Sequence, residues 1–173
     1  MKRLLPWFLV TVLLAVTFHI LTVKAYPYYV MFKLKMSRKG KMNTIVHAPR
    51  VSAHSRRVVR PSPDLLYSAC GYDLSEKPLH VTAIIPEDTY WSVSMFAANT
   101  DNFFVINDRK LGLKKVDIIL VKKGDKFMTN ENTMVIESPS TKGVVLFRML
   151  ITDENKVDSL ITVQRKASCR PLD

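Results

Sequence analysis

Hydrophobic positions fall into three patterns along the chain. From Leu4 to Val23, "LLPWFLVTVLLAVTFHILTV" runs for 20 residues without a formal charge. A helix of that length rises about 30 Å, the thickness of a bilayer's hydrocarbon core. Thirteen of the 20 are Leu, Val, Ile or Phe, worth roughly −4 to −8 kcal/mol together on an insertion scale. Beyond residue 60 the apolar residues come in short segments instead. "TYWSVSMFAA" alternates, with Trp91, Val93 and Met95 on one face and Tyr90, Ser92, Ser94 and Phe96 on the other, the period of a strand with one apolar face. Strands are also predicted over 66–74, 79–86, 103–107, 116–123, 133–138 and 143–151, separated by turn signals such as "NTDN" (99–102), Gly124-Asp125, Pro139-Ser140 and Lys142-Gly143. The third pattern is helical: in "TDENKVDSLITVQRKASC", Val157, Leu160, Ile161 and Ala167 recur at helix spacing, with Thr152 or Asp153 placed to cap and Glu154 in the first turn. The prediction is mainly β: a β-sandwich or partial barrel with one C-terminal helix, preceded by a single transmembrane helix.

Charge divides the chain the same way. Residues 1–60 hold 12 Lys and Arg and no acid, and 26 less 12 leaves 14 basic residues to face all 15 acidic ones in 61–173. The overall +11 therefore belongs to the N-terminal segment, and the remainder is close to neutral. The expected organisation is an anchor over 1–25, a basic juxtamembrane linker over 26–60, and a β-rich domain over 61–173. Pro6 sits where a helix tolerates it, and Tyr26, Tyr28 and Tyr29 suit a membrane interface. "VKA" (23–25) also resembles a signal-peptidase site, although the apolar run exceeds a usual secretory core. His19 within the run reads as a functional group or as an imidazole reaching for the interface. The tract "KLKMSRKGKMN" would either dock on anionic lipid or serve as a solvated spacer. Without stacking aromatics on a basic folded surface, nucleic-acid binding is not expected. Lys24, Lys33, Lys35, Arg38, Lys39 and Lys41 outnumber Lys2 and Arg3, so the positive-inside rule alone would leave the domain in the cytoplasm.

No reaction is written in the sequence. It lacks a dinucleotide glycine fingerprint, a phosphate loop, a nucleophile elbow and a zincin motif. His19, His47, His54 and His80 show no zinc spacing, so neither metal nor cofactor is expected. Cys70 and Cys169 either remain buried thiols or, in an oxidising compartment, form a disulfide stapling the terminal helix to the first strand of the domain. The densest polar cluster brackets the 88–109 hairpin: Asp88, Asn99, Asp101, Asn102, Asn107 and Asp108, with Tyr90, Trp91 and Arg109 beside them. It reads as a small-molecule or partner-binding hairpin, as a pair of working carboxylates, or as a turn with core aromatics.

"VVRPSPDLLYSACGYDLSEKPLHVTA" followed by "DTYWSVSMFAANTDNFFVINDR" resembles the domain-of-unknown-function 1254 family, in particular its short, membrane-anchored bacterial members, over roughly 50–165. The resemblance implies a single-pass protein of the bacterial inner membrane, with a jelly-roll-like domain in the periplasm and no established activity. No catalytic residue is carried over. In longer relatives a domain-of-unknown-function 1214 module follows, for which this chain leaves no room. The expectation is a non-catalytic interaction module, tied to the lipid bilayer, whose companion is a second membrane-anchored protein carrying that module. The alternative is a subunit of an envelope enzyme acting on a carbohydrate-like or small polar substrate.

Overall fold

The computed structural model describes residues 3–37, 42–52, 54–55, 60–109, 114–125, 127–128 and 133–172. Parts of the two basic tracts, 38–41 and 56–59, thus lie outside the described residues, as do the first two residues ahead of the apolar run.

Helix α1 spans Leu5–Ser37 and passes through Pro27 without ending. It is long and apolar enough to cross a membrane, and its apolar window is wholly unburied by the rest of the chain. The predicted anchor ended at residue 25, but the helix runs on through the tyrosines. There Pro27, Val30, Met31 and Leu34 are less exposed than their neighbours, the i, i+3, i+4, i+7 spacing of one helix face. Met31 and Leu34 of that stripe line a cavity described below.

Among the described residues nine strands form two sheets. The first has the order β1-β2-β8-β4-β5, from β1 (Thr44–His47), β2 (Leu65–Asp73), β8 (Lys142–Leu150), β4 (Trp91–Ala97) and β5 (Asn102–Asn107). The second has the order β7-β6-β3-β9, from β7 (Met134–Ser138), β6 (Lys115–Lys122), β3 (Leu79–Ile84) and β9 (Ser168–Pro171). All pairs are antiparallel except β6 with β7. The inward rows follow from the register. In the first sheet Cys70, Val145 and Met95 lie side by side, as do Leu66, Met149 and Trp91. In the second, Leu79 faces Leu120 and Val81 faces Ile118. These side chains make the core, and most are at most 5% exposed. A 3-10 turn over Glu154–Lys156 opens when Asp153 Oδ1 accepts the Asn155 N–H at 2.9 Å, and runs into α2 (Val157–Arg165). Leu160 from α2 is buried in the core, and Gln164 Nε2 donates to the Tyr67 carbonyl at 2.9 Å.

Four features differ from the sequence expectation. The segment 26–60 is more than a linker, because it holds the end of α1 and the whole of β1, a strand hydrogen-bonded along β2. The C-terminal segment is more than a helix: Ala167 packs in the core and β9 follows, paired with β3. The Cys70–Cys169 disulfide, with Cα atoms 6.4 Å apart, joins β2 to β9, so it staples sheet to sheet rather than helix to strand. Finally, β4 is buried on both faces, since Ser92 and Ser94 are each 1% exposed. Arg148, the β8 neighbour of Ser92 in the register, hydrogen-bonds both of them.

A buried polar cluster closes one end of the sandwich. Tyr72, fully buried on β2, places its hydroxyl 2.8 Å from Ser138 Oγ and 3.2 Å from the Phe96 carbonyl. Ser138 donates to the Ser140 carbonyl, and Ser140 Oγ accepts the Ala98 N–H at 2.9 Å. Burial raises the Tyr72 phenol above its ordinary value, outweighing the serine contacts. The cluster ties both sheets to the β4–β5 turn.

Candidate functional site

The residues singled out around 88–109 are not gathered in one place. Asn99, Asp101 and Asn102 lie at the β4–β5 turn. There Asn99 Nδ2 donates to Asp101 Oδ2 at 2.5 Å, the Asp101 N–H returns to Asn99 Oδ1 at 3.2 Å, and the Thr100 N–H reaches the Ala97 carbonyl. Thr100 holds φ at 70°, and Asn99 and Asp101 are engaged with each other in shaping the turn. Asn107, Asp108 and Arg109 sit at the far end of β5, beside Tyr90 and Trp91. Asn107 Oδ1 accepts the Arg109 N–H at 3.2 Å, and the Asp108 N–H reaches the Trp91 carbonyl. Seven residues of extended chain, roughly 23 Å, separate Asp101 from Asp108. Trp91 is a core side chain, 5% exposed. Asp88, at φ 57°, lies in the β3–β4 connection beside a groove that runs to Leu160 and Val163 of α2.

The two outer faces of the sandwich differ sharply. On the second sheet, His80 Nε2 and Lys115 Nζ each lie 2.9 Å from Asp117, a charged cluster. Burial alone would raise the Asp117 carboxyl, but hydrogen bonds from Lys115 and His80 outweigh it and hold it below the usual range. The folded value lies below the unfolded one. The contribution is therefore complete above the unfolded carboxylate pKa of about 3.9 and fades as pH falls through the lower folded value. Asp117→Asn should cost about 1 kcal/mol near neutral pH, by hydrogen bonds lost, and progressively less as pH falls below the unfolded carboxylate value and the wild-type side chain takes up a proton. Melting temperatures across that range decide it: a loss that does not depend on pH contradicts the assignment.

The first sheet turns an apolar face outward. The register sets Val46, Ala69, Leu146, Ser94 and Val105 in one row across all five strands. Val46 is 46% and Val105 53% exposed. The next row, Tyr67, Arg148, Ser92 and Asn107, carries a cation at the centre of the face. Arg148 Nε donates to Ser92 Oγ at 3.1 Å and Nη2 to Ser94 Oγ at 3.3 Å. Sequence reading passed over this arginine. Its signal was the interruption of "GVVLFRMLI" by one charge in a run that is otherwise apolar.

At the other end of the same face lies a cavity of about 280 Å³, bounded by Tyr28, Met31 and Leu34 of α1 and by Gly71, Gly143 and Val144 of the sheet. The extended part of α1 thus faces the sheet across this cavity, opposite Gly71 and Val144. Asp73 and Lys142 pair at that end, 3.2 Å apart. Among the described residues no group of three or more His, Cys, Asp or Glu is placed to hold a metal ion.

The sequence model of the family described as "Protein of unknown function (DUF1254)" matches residues 42–171, β1 included. Among solved structures, the VPA0106 protein from Vibrio parahaemolyticus superimposes with a TM-score of 0.68 at 13% identity, over 87% of this chain and 36% of that one. An uncharacterised protein from Burkholderia cenocepacia gives a TM-score of 0.52 at 12% identity, over 79% of this chain and 36% of that one. At such identities the likeness is one of fold, and the chain spans little more than a third of either structure. No curated protein matches. With more than half of its length matched by that one model, the chain belongs to the DUF1254 family.

Proposed function

We propose that the protein is a non-catalytic, membrane-tethered interaction module whose docking surface is the outer face of the β1-β2-β8-β4-β5 sheet. The observation that carries this reading is the contrast between the two outer faces. One carries the His80–Asp117–Lys115 cluster of charges. The other presents a row of Val46, Ala69, Leu146, Ser94 and Val105 whose two apolar ends, Val46 and Val105, are exposed, as exposed apolar residues at an interaction surface are. The structural relatives carry nearly two thirds of their length beyond the part shared with this fold. This supports a companion in trans: a second membrane-anchored envelope protein carrying a domain-of-unknown-function 1214 module.

For the compartment we adopt the bacterial inner membrane with the domain in the periplasm, α1 serving as an uncleaved anchor. The Cys70–Cys169 disulfide supports an oxidising location, against the basic flank that favours the cytoplasm. An enzyme subunit using Asp101, Asp108 and Arg109 is less well supported, since the two carboxylates stand at opposite ends of β5. Co-expression of the full-length chain with such a companion, followed by purification in mild detergent, tests the reading. The two proteins should co-purify, and a Val46→Glu, Val105→Glu double variant should lose the companion while Asp101→Asn keeps it. If the intact chain comes away alone, the proposal fails.

A further inference from the structure

We propose that Arg148 is a carboxylate-recognition site at the centre of this face, and that it takes an Asp or Glu side chain of the docking companion. The inference rests on the reading of the face as a docking surface and adds the chemistry that would recognise the partner. Arg148 is half-buried, yet among the described residues it is paired with no counter-charge. The ion pairs among the described residues are Arg50–Glu154, His80–Asp117, Lys115–Asp117 and Lys142–Asp73, and Arg148 is in none of them. Along the outward positions of the five strands the acid present is Asp73. It is already paired with Lys142, six residues and roughly 20 Å along β8 from Arg148. On either side of Arg148 the same face of β8 carries Leu146 and Leu150.

The two hydrogen bonds that Arg148 makes fix its fork instead of neutralising it. Ser92 and Ser94 are each 1% exposed and hold Nε and Nη2 from the β4 side. Nη1 has no hydrogen bond among the described residues. One edge of the planar guanidinium is therefore clamped by neutral hydroxyls, and the Nη1–Nη2 end stays available. That end presents two parallel N–H donors, the geometry that binds a carboxylate bidentately. A cation partly withdrawn from water among apolar side chains lacks full solvation, and a carboxylate arriving with an apolar partner surface restores it. Lysine, a point charge without a fork, would not substitute.

The test uses the full-length chain in detergent micelles, with benzoate as the probe and the amide resonances of Ser92, Ser94 and Leu146 as reporters. Benzoate should shift them saturably in the millimolar range. Arg148→Lys should weaken binding by about tenfold or more, Arg148→Gln should abolish it, and methylammonium should have no effect. No shift with benzoate, an equal shift in Arg148→Gln, or a response to inorganic phosphate but not to benzoate overturns the site. Co-purification of the companion is scored separately. Retention by the wild-type chain and loss with Arg148→Gln supports the assignment, whereas full retention by Arg148→Gln overturns it and leaves the docking face standing. If no companion binds the intact chain, the assigned source of the carboxylate is lost even where benzoate binds.

Discussion

Gly143→Ala should destabilise the domain strongly, by about 3 kcal/mol or somewhat more, at or above the top of the usual overpacking range. A Cβ at this position would lie 2.1 Å from the Phe96 carbonyl oxygen, 2.4 Å from the Tyr72 hydroxyl and 2.5 Å from the ring carbon bearing it. Neither neighbour can give way cheaply. Phe96 is backbone in β4, paired with Val144 of β8. Tyr72 is fully buried, with its hydroxyl in the Ser138–Ser140 cluster. Relief means prying β4 from β8 or expelling the phenol, and either breaks hydrogen bonds that water cannot replace. For a domain of this size the loss corresponds to a fall in melting temperature of roughly 10–20 °C. Thermal unfolding of the full-length chain in micelles reads it directly. Gly124 is a useful contrast: there a Cβ would meet nothing within 4 Å, and the cost of Gly124→Ala would come from its φ of 91° and should be smaller, near 1 kcal/mol. Equal effects at the two glycines would contradict the packing argument.

The second large effect is expected from the disulfide. Cys70 and Cys169 are 99 residues apart in the chain. In the chain-entropy model, closing a loop of about 100 residues is worth roughly 4.7 kcal/mol. The bond also joins the first sheet to β9, which pairs with β3 over four residues, Leu79 to Thr82. Reduction should therefore lower the unfolding midpoint by the loop term and loosen the C-terminal strand first. The Cys70→Ala, Cys169→Ala double variant should show the same loss without reductant and no further loss with it. In native membranes the two cysteines should resist a thiol-alkylating reagent until a reductant is added. Labelling without reductant would remove both the stabilising term and the main support for an oxidising compartment.

What the sequence revealed depended on how much of each element's structure was local. The strands from β2 to β8 were legible because each is bounded by its own turn residues and carries its own alternation or β-branched run. Helix α2 showed itself through the spacing of Val157, Leu160 and Ile161. β1 and β9 were not legible. Each is four residues long, too short for a period to register, and each is a strand only because a longer neighbour, β2 or β3, supplies the hydrogen-bonding edge. "TIVH" also follows the basic tract, whose composition outweighed it. The continuation of α1 was hidden by Pro27 and by aromatic residues that suit an interface as well as a helix.

The site divided along the same line. The 88–109 residues are neighbours in sequence, but a hairpin sends its two ends apart, so proximity along the chain misled. Arg148, Ser92 and Ser94 meet only through the β4–β8 pairing. Alternation rightly put Ser92 and Ser94 on the face opposite Trp91 and Val93, but it could not reveal that the arginine covering them came from 56 and 54 residues further on.

The unbroken run of α1 from Leu5 to Ser37 has a mechanical outcome. With the apolar run filling the bilayer core, Met31 stands about 12 Å above its edge, eight residues beyond Val23 at helical rise. If α1 is the uncleaved anchor proposed above, a helix unbroken to Ser37 carries the point where the domain begins out of the lipid as a rod. For the proposed pair of tethered proteins, encounter would then take place at one altitude, in two dimensions. Inserting a few glycines after Leu34 should cost the pair its association while leaving each member well folded.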